Sequence, residues 1–251
     1  MELYLPILEN TKATLVARVR DHGFLQRCRA GEVTLEELKL FLVQQGIYSS
    51  YFTRYLCALM GNLPNNDQVL KLAENLCEEL GLTPDSETPH STLYRDMLKA
   101  FDLTLDGARP LVGTRRLIDT MFDHCRHANS ARGLGALCLG AEALVPAVYA
   151  DVILAFEACG VSARTLEFFR IHVECDDGHA QTLRDIMVEL ASRDADNLPF
   201  MLGAGNALVD ARMDFFSSIE DHARNHPPAR GTEGLIPGAA PRRSLQAAGA
   251  S

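Results

Sequence analysis

Phe169-Arg-Ile-His-Val-Glu-Cys-Asp-Asp-Gly-His179 is the stretch from which the rest of the chain is read. It sets His172, Asp176 and His179 at i, i+4 and i+7. On a helix of about 3.6 residues per turn, those three side chains share one face within two turns. Phe168, Ile171, Leu183 and Ile186 lie on or beside that face, so it points inward. Two imidazoles and a carboxylate converging in this way form a ligand set for non-haem iron. A single buried histidine is more often a hydrogen-bonded core residue, but three ligating groups on one stripe weigh against that plainer explanation. Asp177 points about 100° away and is the weaker candidate.

Helical periodicity continues outward from this stretch in both directions, and alternating strand patterns are absent. Thr34, with Glu37 three residues on, has the pattern of a capping box, opening a helix that runs to about Met60. Gly61-Asn-Leu-Pro-Asn-Asn66 ends it. Further helices are expected over about 5–21, 23–29, 67–81, 90–103, 111–127, 131–158, 162–192 and 199–224. The reading is all-α: a single bundle of seven or eight helices over residues 1–225. Residues 226–251, rich in proline and poor in apolar mass, are expected to form a disordered tail.

Two more places carry candidate ligands. Glu142 lies in Gly133-Leu-Gly-Ala-Leu-Cys-Leu-Gly-Ala-Glu-Ala-Leu-Val-Pro-Ala-Val148, which is otherwise free of charge. A buried carboxylate there needs a partner. A metal is one answer, and an arginine such as Arg115, Arg116 or Arg132 is the other. Pro146 stands four residues on, and its ring crowds the carbonyl of Glu142, which predicts a kink beside the carboxylate. Upstream, Glu78 and Glu79 end one helix and His90 opens the next. Acidic groups in a last turn oppose the helix dipole, and a nearby cation gives them a reason to be there. His124 and His127 read as surface residues, and His222 and His226 as solvated.

Bulk properties exclude several classes. The 251 residues are 47% hydrophobic and 23% charged, enough to bury a full core. A net charge of -9 argues against nucleic-acid binding. No uninterrupted apolar run reaches the ~18 residues of a membrane span, so no membrane partner is expected. Seven scattered cysteines without a CxxC pair read as reduced thiols in a cytoplasm. No Ser–His–Asp arrangement, phosphate loop or dinucleotide fingerprint is visible.

Over about residues 10–220 the chain resembles the haem-oxygenase-like diiron oxidase and oxygenase superfamily, whose relatives include p-aminobenzoate synthases and thiaminase-type and pyrroloquinoline-quinone-synthase-type proteins. The resemblance rests on His172-x3-Asp176-x2-His179, on Glu142 followed by Pro146, and on Asn75-Leu76-x-x-Glu79 followed by His90. It implies that Glu79, His90, Glu142, His172, Asp176 and His179 hold two Fe(II) per chain, the second site labile, with O2 as co-substrate and no catalytic residue beyond the ligands. Glu78 is the substitute for Glu79, and Glu87 a spare. It further implies oxidation of a small amine, amino acid or carboxylate, by N-oxygenation or by desaturation or C–C cleavage, in specialised-metabolite biosynthesis. The implied partners are the small-molecule substrate, an external electron donor and a second copy of the chain. The tyrosine that p-aminobenzoate synthases consume stands here as Phe24-Leu25, and their lysine is missing after Glu142, so self-consumption is not expected.

Helical phase places a substrate pocket beside the metals, lined by Tyr48, Tyr51, Tyr55, Leu139, Val145 and Phe169, with Arg115, Arg116 or Arg170 clamping a carboxylate. The competing readings are a cofactor-free or single-metal enzyme of the thiaminase or quinone-synthase type, and a non-catalytic helical interaction protein.

Overall fold

Thr34 caps its helix as the sequence predicts: its hydroxyl accepts from the Glu37 N–H at 3.3 Å, and the Glu37 carboxylate accepts from the Thr34 N–H at 2.9 Å. In the computed structural model of the chain, residues 3–84, 86–174 and 178–226 are described. Every regular element among the described residues is helical, apart from an isolated bridge between Thr83 and Ser86. In chain order these are α1 (Tyr4–Arg20), α2 (Gly23–Ala30), α3 (Leu35–Ser49), α4 (Phe52–Met60), α5 (Asn66–Glu79), α6 (His90–Lys99), α7 (Val112–Cys125), α8 (Ser130–Gly140), α9 (Val145–Ala158), α10 (Glu167–Glu174), α11 (Gly178–Arg193) and α12 (Asn197–Asn225).

Three expected helices are interrupted. The one expected from Thr34 to Met60 turns at Ser50–Tyr51, giving α3 and α4. Ser49 and Ser50 turn their hydroxyls back onto the carbonyls of Gly46 and Ile47, an alternative bond that weakens the end of a helix. The one expected over 131–158 breaks where Ala141 leaves helical backbone angles, and a 3-10 turn (Glu142–Leu144) joins α8 to α9. Pro146 then sits in the first turn of α9, where its missing N–H removes no helical bond. The break is thus larger than the predicted kink. The helix expected over 162–192 appears as a 3-10 turn (Ala163–Leu166), α10 and α11, and residues 175–177 lie outside the described residues. The proposed tail falls outside them as well, from residue 227 onward.

Long α12 runs against α8 and α7 and forms the spine of the bundle. Its close approach to α8 depends on Gly135, where a Cβ would collide with the Met201 carbonyl. Phe24, Phe41, Phe215 and Phe216, all fully buried, stack where α2, α3 and α12 meet, with Phe24 5.5 Å from Phe216 and 5.8 Å from Phe41. Burying each such ring contributes about 1.5–3 kcal/mol. Counted across its few charges, Ser130–Ala158 is long and apolar enough to span a membrane, although no uninterrupted apolar run within it reaches that length. Most of it is buried inside the protein and it is split at 141–144, as suits a core element.

Candidate metal centre and its cavity

The last residue of α5 and the first of α6 meet across the connecting loop: Glu79 Oε1 stands 3.1 Å from His90 Nδ1. His172, on α10, completes a group in which one ligating atom from each of Glu79, His90 and His172 lies within 4.8 Å of the others. His179, in the first turn of α11, brings Nδ1 to 3.7 Å from Glu79 and 3.9 Å from Glu142, while its Nε2 lies 3.1 Å from Glu78. Glu142 enters from the break between α8 and α9, with only 12% of its side chain exposed.

Short distances do not make these contacts hydrogen bonds. His90 Nδ1 and His179 Nε2 are buried and lack a partner of hydrogen-bonding geometry. Carboxylates and imidazoles that converge with ring nitrogens left unanswered suit a cation held in their midst, so the residues present fit iron. His172 is prepared in the same sense. Its Nδ1–H donates to the Phe168 carbonyl at 2.7 Å, which leaves Nε2 as the open acceptor. Burial, aided by the charge of His90, lowers its pKa to about 4 and keeps the ring neutral.

The electrostatics of the acids differ. Burial raises the Glu142 carboxyl to about 7, with Glu79 adding to the rise and His179 opposing it. Burial pushes Glu79 up as well, but His90, His179 and His172 pull it down further, so it stays below the ordinary carboxylate range. Burial lowers His179, and Glu142, Glu79 and Glu78 more than offset this.

Glu79, His90, Glu142 and His172 line one wall of a cavity of about 330 Å³, at the small end of the range for ligand pockets. Phe52, Leu105, Val145 and Phe168 supply apolar walls, and Gln45, Tyr48, Tyr149 and Arg212 a polar region.

Of the six residues named as ligands from the sequence, five fall in this cluster, and Asp176 lies outside the described residues. Glu79 holds the centre, Glu78 reaches only His179, and Glu87 is exposed. The pocket expectations need correction. Tyr48 and Val145 line the cavity. Tyr51 and Tyr55 instead pack against Phe122, and Phe169 packs among Phe41, Tyr149 and Phe156. Leu139 borders a separate small pocket beside α1. Arg115 and Arg116 point outward, Arg116 onto Asp214, and Arg170 pairs with Glu167. Helical phase put these residues on the right helices but could not say which neighbours would cover them. His124, expected at the surface, is buried beside Arg132.

Two arginines border the cavity, Arg95 from the exposed side, where it donates to Thr92, and buried Arg212, which the sequence reading missed. A signal existed: Leu208, Arg212, Phe215, Phe216 and Ile219 follow one helical stripe, so Arg212 interrupts an otherwise apolar face.

The family model described as iron-containing redox enzyme matches residues 39–212. The chain belongs to that family. It is 26% identical over 208 residues to the 4-aminobenzoate synthase of Chlamydia pneumoniae, covering 79% of this chain and 87% of that protein. Among solved structures, a TenA homologue from Pseudomonas syringae pv. tomato superposes with a TM-score of 0.72 at 17% identity, covering 87% of this chain and 93% of that one. A domain with a haem-oxygenase-like fold from Shewanella denitrificans superposes with a TM-score of 0.70 at 16% identity, covering 88% and 93%. The iron-containing redox enzyme family and the haem-oxygenase-like bundle therefore agree with the ligating group at Glu79, His90 and His172.

Proposed function

We propose that this chain is a non-haem diiron enzyme that uses O2 to oxidise a small amine, amino acid or carboxylate, by N-oxygenation or by desaturation or C–C cleavage, in the making of a specialised metabolite. The observation that carries this reading is the convergence of carboxylates and imidazoles from Glu79, His90, His172, His179 and Glu142 beside a small cavity. In this reading those five residues and Asp176 hold two Fe(II), and an external donor supplies electrons. Iron, when bound, supplies the redox chemistry between O2 and substrate.

The chain's own residues do the rest. The Phe168 carbonyl fixes the His172 tautomer, so the ring is presented to the site without rearrangement. Glu142, its carboxyl raised to about 7 by burial, shares its time between protonated and charged forms near neutral pH in the metal-free protein, and a bound cation draws it to the charged form. Phe52, Leu105, Val145 and Phe168 exclude water from the substrate's side of the cavity. The substrate in this proposal is a separate molecule, because Phe24 is stacked in the core between Phe41 and Phe216 and is remote from any oxidative role.

The test is to purify the protein without oxygen, titrate Fe(II), count bound metal and follow absorption during a pulse of O2. Two irons per chain with a transient visible band is the expected result. Absence of both iron binding and O2 uptake across a panel of amines, amino acids and fatty acids overturns the reading.

A further inference from the structure

We infer that Arg212 is the seat of a substrate carboxylate, and that the substrate lies in the cavity with its carboxylate on Arg212 and its reacting end toward Glu79, His90 and His172. This deepens the proposed function and rests on its reading of the cavity as the substrate site.

Arg212 is 6% exposed, yet it borders the cavity. Its Nη1 donates to Gln45 Oε1 at 2.9 Å, and its guanidinium lies 4.6 Å from the Tyr48 ring centre and 5.4 Å from that of Phe215. It also acts on the Tyr48 and Tyr149 hydroxyls, and among the described residues no carboxylate pairs with it. A guanidinium carries five N–H donors, so most of this one's hydrogen-bonding capacity is unanswered. Burying a cation without an anion is costly, and proteins rarely leave one so. Tyr48, beneath it, is buried, and its hydroxyl feels the Arg212 charge but has no partner of good hydrogen-bonding geometry. A planar fork of donors carrying one positive charge, with a phenol beside it, matches the shape and charge of one carboxylate.

The surroundings set the orientation. Gln45 accepts from Arg212 and donates to the Tyr149 hydroxyl at 3.2 Å, which locks the polar region in place. The apolar side chains of Phe52, Val145 and Phe168 line the same cavity as the ligating wall. A carboxylate seated on Arg212 therefore leaves the body of the molecule against apolar walls and its carboxylate off the metal ligands.

The experiment uses the full, metal-free chain and calorimetric titration with benzoate and hexanoate, each against its neutral amide. The expected result is a carboxylate preference of at least about 10-fold. That preference persists in Arg116→Met, which removes an exposed arginine that points away from the cavity. It disappears in Arg212→Met. It also disappears in Gln45→Glu, which keeps the arginine but supplies an internal carboxylate, and which guards against misfolding of the first variant. No preference for either carboxylate over its amide in the metal-free chain overturns the assignment. So does a preference that survives both Arg212→Met and Gln45→Glu, or one lost in Arg116→Met. Because iron is absent throughout, failure of the diiron reading leaves this result unchanged, and the two are distinguishable.

Discussion

Glu142 and Asp151 belong to the same apolar stretch and are both nearly sealed from water, yet the protein treats them in opposite ways. Asp151 is met by two arginines: Arg20 contacts it at 3.0 and 3.1 Å and Arg29 at 2.5 Å. It ties α1 and α2 to α9 with its charge fully answered. No arginine among the described residues pairs with Glu142. The nearest cationic group is His179 at 3.9 Å, and burial raises its carboxyl to about 7. One carboxylate is satisfied by the fold, while the other is left for something the fold does not contain. This contrast separates a structural acid from a candidate ligand more sharply than burial does.

The largest expected effect lies on the open side. His172→Ala is expected to remove at least one iron per chain, measured by metal analysis after anaerobic loading. A variant that still loads two irons and consumes O2 normally would break the ligand assignment. On the answered side, Asp151→Ala removes the hydrogen bonds that hold exposed Arg20 and half-buried Arg29 and is expected to cost about 2 kcal/mol, read from urea unfolding. Iron loading of the folded fraction stays at the wild-type level. If this substitution instead abolished loading without loss of stability, the division between the two acids would be wrong.

Smaller effects sharpen the contrast through pH. An acid whose folded pKa lies above its unfolded one binds more protons in the folded state over that interval, so stability falls as pH rises through it. For Glu142 the interval runs from 4.5 to about 7. Metal-free Glu142→Gln is expected to exceed the parent by roughly 3 kcal/mol at pH 8 and to match it below pH 4. A parallel pair of stability curves would show that burial does not govern this carboxyl. Glu37 runs the other way. Burial raises it, but the Thr34 N–H and hydroxyl and Arg27 lower it further, so its net shift is downward. Its contribution is present above the ordinary carboxylate pKa and disappears as pH falls through the depressed value. Glu37→Gln should cost about 1 kcal/mol at pH 7, with the difference vanishing in acid, as checked by thermal melts at both pH values.

Much of the site was legible because its clues are local. His172 and His179 were identified by spacing, Glu142 by being a lone charge in an apolar run, and Thr34 with Glu37 by a capping pattern. Arg212 carried a comparable signal, since it interrupts the stripe from Leu208 to Ile219, but a charge on an apolar face does not say which cavity it borders. Asp151 was passed over for the same reason: its two answering arginines come from α1 and α2, far away in sequence.

The sequence by itself determined that the chain is helical, where most helices start, and which residue types are available to hold iron, because periodicity and capping act over a few residues. The tertiary structure decided that the Glu79 and His90 pair meets His172 and His179, that α8 and α9 part at Glu142, and that Arg212 rather than Arg115, Arg116 or Arg170 faces the cavity. Helical phase gives the direction of a side chain relative to its own axis. Only the packing of one helix against another decides what that direction points at.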